Sequence, residues 1–449
     1  MNKIKLLLIL FFVSFFAYAQ DVEASRRATI QYGTETEIAA LIQTLRNESA
    51  DYLDTELISL IDNTRNQRIL IGVFGFFGER EKKGLEERAL RAITERDEEA
   101  NETVLSAIDY LGRVKYAQAA PVIMDLLNTE ERRFLSSGFR ALGRASSADS
   151  ALADEAVEFL IDYYENRNPG SDNQREVITA IGATGSLKGV SFLAGIASNT
   201  DERIPLRVAA LEALSSIGDP GGLEAVLACV STNDPNVRSA AVAALGPFSG
   251  DAVDSAILDA FRDSYYRTRI AAAQASRDRK LAAAVPYLRY RAERDEVPNV
   301  KDEAIRALGA IANEEAVSVL DSLFSERRNS DRVRLVAAEQ LMKNAADSNL
   351  GRLIIELDKA KTRNQTALYN GLLKVIGETV ISGDKTDMEN ITRRFLRSGT
   401  IIEKSYGLDM AVNNNLVALS DEIKSLTTDR NESLARKAVR TANTLGIEI

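Results

Sequence analysis

Histidine and tryptophan are both absent from the 449 residues, and cysteine occurs once, at Cys229. Without histidine the chain lacks the usual general base, the commonest zinc ligand and the imidazole of Ser-His-Asp and Cys-His catalysis. A single cysteine excludes an intrachain disulfide. It stands in the apolar run Leu223 to Val230, where a buried core thiol is expected rather than a nucleophile. Proline (8) and glycine (26) are too few for a collagenous or disordered chain, whereas 45% hydrophobic residues suit a folded one. Also missing are a phosphate-cradling Gly-x-x-x-x-Gly-Lys-Ser/Thr loop, Cys-x-x-Cys, His-Glu-x-x-His and Gly-x-Ser-x-Gly. Residues Asp384 to Asp387 lack EF-hand ligand spacing. No catalytic residue, metal site or cofactor is expected, and the chain is read as a non-enzyme.

Basic residues number 56 against 66 acidic ones, a net charge of -10. A general nucleic-acid binder needs the opposite balance, because its affinity comes from neutralising phosphates. At the amino terminus Lys3 and Lys5 precede an apolar stretch, Leu6 to Phe16, followed by Ala17-Tyr18-Ala19. This is the layout of a secretory signal peptide, with cleavage expected after Ala19. The apolar stretch falls short of the ~20 residues that span a bilayer, no cysteine follows for lipid attachment, and no later segment is long and apolar enough to cross. The expected destination is the periplasm or the exterior.

Segments ending in Leu-Gly or Ile-Gly share a register: Tyr110-Leu111-Gly112, Ala141-Leu142-Gly143, Ala180-Ile181-Gly182, Ala244-Leu245-Gly246, Ala307-Leu308-Gly309 and Val375-Ile376-Gly377. Basic residues keep the same time, with Arg207, Arg238, Arg269, Lys301 and Arg334 spaced by 31, 31, 32 and 33. A period of this kind marks a stacked array. Each unit reads as two helices. The stretch Asp234 to Gly246 opens on a capping Asp and a first-turn Pro, places apolar residues at helical spacing, and is expected to end on Gly246 as a left-handed cap. Leu223, Val226, Leu227 and Val230 form the stripe of its partner helix, and Ala210, Ala241, Ala272, Ala304 and Ala337 share one slot suited to close helix approach. Neither helix buries its stripe alone, so units must stack.

The Asp or Asn turn, Val-Arg, small residues and Ala-Leu-Gly resemble the short HEAT repeats, especially a subtype also found in phycobilisome chromophore lyases. The likeness covers about Asn101 to Asn344 well. It implies an all-α fold, a right-handed α-α superhelix of about ten to twelve helix pairs. It leaves function open, since such repeats serve unrelated proteins. No pigment-handling residue carries over, and export and acidity argue against the repair glycosylases built from related repeats. The resemblance also implies a structural ladder between turn acids and helix bases, matched by Asp234 with Arg238, Asp263 with Arg269 and Asp331 with Arg334; Asp201 with Arg207 has a longer turn. The chain then divides into a signal peptide (1–19), divergent N-terminal helices (20–100), a regular array (101–346) and divergent C-terminal helices (347–449). Within the second, Ile69 to Phe77 is expected as a buried helix and the charged stretch Glu79 to Glu99 as a solvated one.

Two surfaces are candidates for a partner. Two residues before each signature Gly's Leu, one slot stays mostly polar: Asp109, Arg140, Thr179, Glu212, Gln274, Arg306, Glu339 and Lys374, with Gly75 and Ala243 as exceptions. In proteins that this one resembles, the second helix lines the concave face, so this slot would form a groove stripe. Residues 262 to 294 hold nine basic against three acidic residues, together with Tyr265, Tyr266, Tyr287 and Tyr290. Tyr and Arg dominate interface hot spots. The candidates there are Tyr265, Tyr266, Arg267, Tyr287, Tyr290, Arg291 and Arg294, the last four sharing a solvent-facing helix side by i, i+3, i+4 spacing. The expected role is an exported scaffold or adaptor for a protein partner, with no nucleic acid and no integral membrane segment. The alternatives are a glycan or envelope-surface binder and an unrecognised hydrolase. Mature protein isolated from its native cell should begin at Gln20; sequencing that returns Met1 from a cytoplasmic fraction overturns the export expectation.

Overall fold

The structure, a computed structural model, describes residues 22–167 and 169–449. The expected signal peptide lies outside them. Every regular element among the described residues is helical, and no helix there is long and apolar enough to cross a membrane. The chain forms two compact units, one running through Cys229 and the other from Val230. The division falls inside the stretch 101–346 that shows the most regular repeats.

In the first unit, residues 22–32 and Glu35–Glu48 precede a run of helix pairs. The pairs are Asp54–Asn63 with Gln67–Glu79, Glu86–Thr94 with Asn101–Arg113, Ala119–Asn128 with Arg132–Ser146, Ser150–Asn166 with Ser171–Thr184, and Val190–Ser198 with Ile204–Ile217. Second helices pack on second helices and first on first, so the unit has two layers with the core between them. Ile69 to Phe77 forms a buried second helix, with Phe74, Phe76 and Phe77 at most 1% exposed; burying each contributes about 1.5–3 kcal/mol. The charged stretch differs from its expectation. It breaks into a loop and the helix Glu86–Thr94, which buries Arg88, Ala89, Ala92 and Ile93. A first helix of a pair cannot be solvated all round, and Arg88 is held by Glu99 at 2.6 Å and the Ile61 carbonyl at 3.2 Å.

The second unit begins with the second helix Pro235–Ala244 and continues with Asp251–Ala260 and Tyr266–Asp278, Val285–Arg294 and Pro298–Ile311, then Glu314–Ser325 against the start of Asp331–Thr362. That last helix bends at Ala345, and its second half serves as the first helix for Thr366–Gly377. The Asn349 amide donates to the Ala345 carbonyl at 2.8 Å, at the bend. Thr386–Ser398 with Ile401–Asn413, and Ser420–Leu426 with Glu432–Thr444, complete the unit.

Gly246 does not form the left-handed cap expected of it, and the signature glycines of the first unit have a packing role. Gly246 has no positive φ, and its helix is capped by Leu245 at φ -70°. Left-handed caps fall instead at Gly185 and Gly218, each one residue past a second helix. Inside the helices, Gly112, Gly143 and Gly182 sit where the next second helix crosses. A Cβ on Gly112 would lie 2.8 Å from Cα of Ala141, one on Gly143 2.5 Å from the Ala180 carbonyl oxygen, and one on Gly182 2.6 Å from Cβ of Ala213. Ala141-Leu142-Gly143 and Ala180-Ile181-Gly182 therefore fit on both sides: each Ala enters the preceding glycine's notch and each Gly receives the following Ala. Gly143→Ala should destabilise the first unit by about 1–3 kcal/mol through overpacking. Gly195→Ala, in a helix where a Cβ meets nothing within 4 Å, should instead stabilise it by about 0.4–1 kcal/mol. Urea denaturation of both variants decides; equal shifts would remove the seam as the reason for the glycine.

Candidate functional site

In two successive second helices of the second unit, the basic residue early in the helix reaches into the turn before the next second helix. Arg238 forks onto Asp263, with Nε donating at 2.8 Å and Nη2 at 3.1 Å, while its Nη1 donates to the Thr232 and Asn233 carbonyls. Arg269 repeats the arrangement one unit on, with both fork bonds to Asp295 at 2.8 Å and Nη1 on the Asp263 and Ser264 carbonyls. The two acids also accept backbone N–H bonds, Asp263 from Tyr265 at 2.7 Å and Asp295 from Val297 at 3.0 Å. Burial pushes the Asp263 and Asp295 carboxyls upward, but the arginine forks and these N–H donors outweigh it and hold both below the usual range.

The pairing is thus offset by one repeat from the matched residues. Asp234 is the N-cap of its own helix, accepting from the Asn236 and Val237 N–H groups. Asp331 lies in a first turn capped by Ser330 and makes no ion pair among the described residues; Arg334 is held by Glu356 at 2.9 Å and the Phe324 carbonyl. Arg207 donates to the Ala197 carbonyl at 2.9 Å and sits beside the buried Cys229 sulfur. Lys301 takes the Glu293 carbonyl.

The polar slot is exposed at Asp109, Arg140, Thr179 and Glu212 in the first unit. In the second, Arg306 and Lys374 are exposed and Gln274 and Glu339 half-buried. Neighbours on either side are buried, so within each unit the slot runs as a stripe along the second-helix layer. Arg140 approaches Glu176 and Asp109 binds Arg113 within its own helix.

The basic window loses most of its free charge on folding. Arg269 and Arg291 share Asp295, Arg277 pairs with Glu303, Arg279 with Asp254, Arg289 with Glu293 and Arg262 with Asp259. Arg267, Lys280 and Arg294 have no carboxylate partner among the described residues. The tyrosines form two clusters. Tyr265 and Tyr266 meet edge to face, with Arg267 against Tyr266 and the Tyr265 hydroxyl on Asn236 at 3.2 Å. Tyr287 stacks on the buried Phe261 at 5.7 Å between centroids, and the Arg262 guanidinium lies 5.3 Å from its centroid. Tyr290 is 55% exposed with Arg291 over its ring at 5.2 Å. Phe261, Arg262, Pro286, Tyr287, Tyr290 and Arg291 line one depression of about 400 Å³. Arg291 is therefore not a free solvent-facing residue: its guanidinium is fixed between Tyr290 and Asp295.

Several contacts that hold the repeats together are not evident from the sequence. Asp295 anchors two arginines yet belongs to no repeated signature. Lys404 donates to Asp429 at 3.2 Å, and Asp429 accepts from the Asn431 N–H, a further rung where the Val-Arg pattern is lost. The 25- or 26-residue offset of Arg238 to Asp263, Arg269 to Asp295 and Lys404 to Asp429 is the signal that would have found it. The buried Glu403 accepts from Lys361 at 2.6 Å, from Tyr369 and from its own N-cap, Thr400. Burial raises its carboxyl, and these donors reverse that to about 2.

Carboxyls depressed in the folded state contribute stability above their unfolded values, near 4, and lose it as pH falls through the folded ones. Asp295→Ala should cost about 3–5 kcal/mol at neutral pH by stranding a buried arginine, against less than about 0.5 kcal/mol for Asp331→Ala. The gap between Asp295→Ala and the parent should narrow as pH falls below about 4. Denaturant titrations across that range check it, and a gap that stays constant would mean that the ionised carboxylate is not the source.

The Spirochaete HEAT repeat protein family matches residues 30–441. A curated relative, the uncharacterized phycocyanin operon protein Z of Pseudanabaena tenuis (strain PCC 7409), is 28% identical over 154 residues, covering 33% of this chain and 74% of that protein. Among solved structures, Kap121p is similar at 12% identity and a TM-score of 0.45, and Kap121p bound to Pho4p at 13% and 0.44. Both matches cover 94% of this chain and 53% of the other, so the chain spans about half the length of those solved structures. The match runs over nearly all of the chain's length: the chain belongs to the Spirochaete HEAT repeat protein family.

Proposed function

We propose that this protein is an exported scaffold or adaptor that holds a protein partner, and that the shelf around Tyr287 and Tyr290 is its docking site. The observation carrying this reading is Tyr290, a large aromatic ring left 55% exposed yet held in place by a cation that is itself anchored. Ordered, exposed Tyr beside Arg is the composition of interface anchors. A stacked helical array supports the role by offering extended surface on rigid elements. The groove stripe is polar without comparable anchors and serves as the secondary contact surface. Export rests on the Lys3 to Ala19 pattern.

Substituting the whole helix face would disturb more than the surface, because Arg291 binds Asp295 and Tyr287 packs on Phe261. Tyr290→Ala with Arg294→Ala is the cleaner change. A photo-crosslinking residue at position 290, activated in the native cell, should join a defined envelope protein. With the crosslinker moved to position 306, in the groove stripe of the same unit, the parent should still give that product and the double variant should lose it while its helical circular dichroism is unchanged. Retention of the same product by the folded double variant would move the site to the groove.

A further inference from the structure

Resting on the reading of this shelf as a protein-docking site, we infer that it takes a short acidic peptide segment, seating an apolar side chain between Tyr287 and Tyr290 and pairing a neighbouring carboxylate with Arg262. The depression of about 400 Å³ is lined by three aromatic rings, one proline and two arginines, with no acidic residue among them. Its floor is apolar and its only charged groups are cationic, so an apolar side chain beside a carboxylate satisfies both parts.

The two arginines are not equivalent. Arg291 is committed to Asp295 and orients Tyr290. Arg262 is available: its side chain is 64% exposed, and its one carboxylate partner, Asp259, is 75% exposed on the preceding turn. Such a rim pair is worth little, so exchanging Asp259 for a ligand carboxylate sacrifices little. Arg294, exposed and without a carboxylate partner among the described residues, extends the cationic edge at the end of the same helix. The Tyr287 hydroxyl accepts from Arg262 at 3.4 Å and keeps its own proton for a peptide carbonyl.

The same geometry disfavours the other anionic ligands. A pyranose ring stacks on an open aromatic face, and Tyr287 lacks one because Phe261 and Arg262 engage it, which leaves only the face of Tyr290 that Arg291 does not cover. A long polyanion would meet the field of a chain whose net charge is -10, with too few unpaired cations to offset it. A segment with one or two carboxylates uses the local cations without that penalty.

Fluorescence anisotropy of the full chain with a labelled peptide of repeating Glu-Pro-Leu tests this. The expected result is saturable binding that weakens roughly tenfold or more when Gln replaces Glu in the peptide, and also with Tyr290→Ala or Arg262→Gln in the protein. Circular dichroism confirms that both variants remain folded. Equal binding of the Gln or a Lys version overturns the charge recognition. Binding of a heparin oligosaccharide in preference to the peptide would assign the shelf to a glycan. Failure of the Glu peptide to bind, while the crosslinker at position 290 still captures a protein in the cell, overturns the acidic-segment inference and leaves the scaffold reading standing; loss of both results removes the docking site as well.

Discussion

Backbone contact between successive second helices is the constraint on which the first unit depends. At Gly112, Gly143 and Gly182 the next helix comes so near that a methyl group has no room. Side chains on two helices that slide by one residue can repack, but a backbone notch accepts its neighbour in one register only. The Ala that enters the notch and the Leu that follows it are then placed together, with the Leu or Ile of each signature buried between the layers. In the second unit larger residues occupy the equivalent contact, Gln340 against Gly309 and Tyr406 against Gly377. The glycine remains necessary there because the incoming side chain needs still more room.

In the second unit a ladder of ion pairs runs through helices that have no glycine notch between them. Arg238 and Arg269 occupy the same slot of successive second helices, and each faces the turn before the next second helix. A buried guanidinium is costly unless its donors are all used, and two turns supply what is needed: the next repeat's turn a carboxylate for the fork, and the arginine's own turn carbonyls for the remaining nitrogen. The Asp performs two tasks, accepting the arginine and the backbone N–H two residues on, which otherwise lacks a helical partner. Where no turn Asp stands in place, the arginine finds other acceptors, as Arg207 does at Ala197 and Arg334 at Phe324 and Glu356. The slot is therefore defined by the cation and the acceptors vary.

Features that repeat within a repeat were legible in the sequence. The helix pairs, the all-buried slot of Ala210, Ala241, Ala272, Ala304 and Ala337, the buried Phe helix and the exposed stripe all follow from periodicity and local pattern. What periodicity does not reveal is which neighbour a side chain touches. Arg238 has an acid four residues before it and another 25 residues after it, and only stacking selects the distant one. The same ambiguity hid the glycines, because a Gly after the last apolar residue of a helix reads as a cap whether or not another backbone lies against it. Lys404 and Asp429 were invisible for a further reason: their repeat lacks the surrounding signature, so neither residue could be placed in register.

The basic window shows why charge summed along a chain misjudges a surface. Its excess of six is real in sequence, yet Asp254, Asp259, Asp295 and Glu303, all outside the window, meet five of its arginines in space. Folding converts a general electrostatic attraction into a few placed cations and ordered rings. Asp295 links the two roles of this region, since one carboxylate receives Arg269 from the ladder and Arg291 from the shelf. The contact that holds adjacent repeats in register also aims the cation that lies on Tyr290. An exposed tyrosine ordinarily loses rotamer freedom when a partner binds, and that loss subtracts from affinity. Here the ring is already restrained, so the packing of the array itself orders the surface proposed for docking.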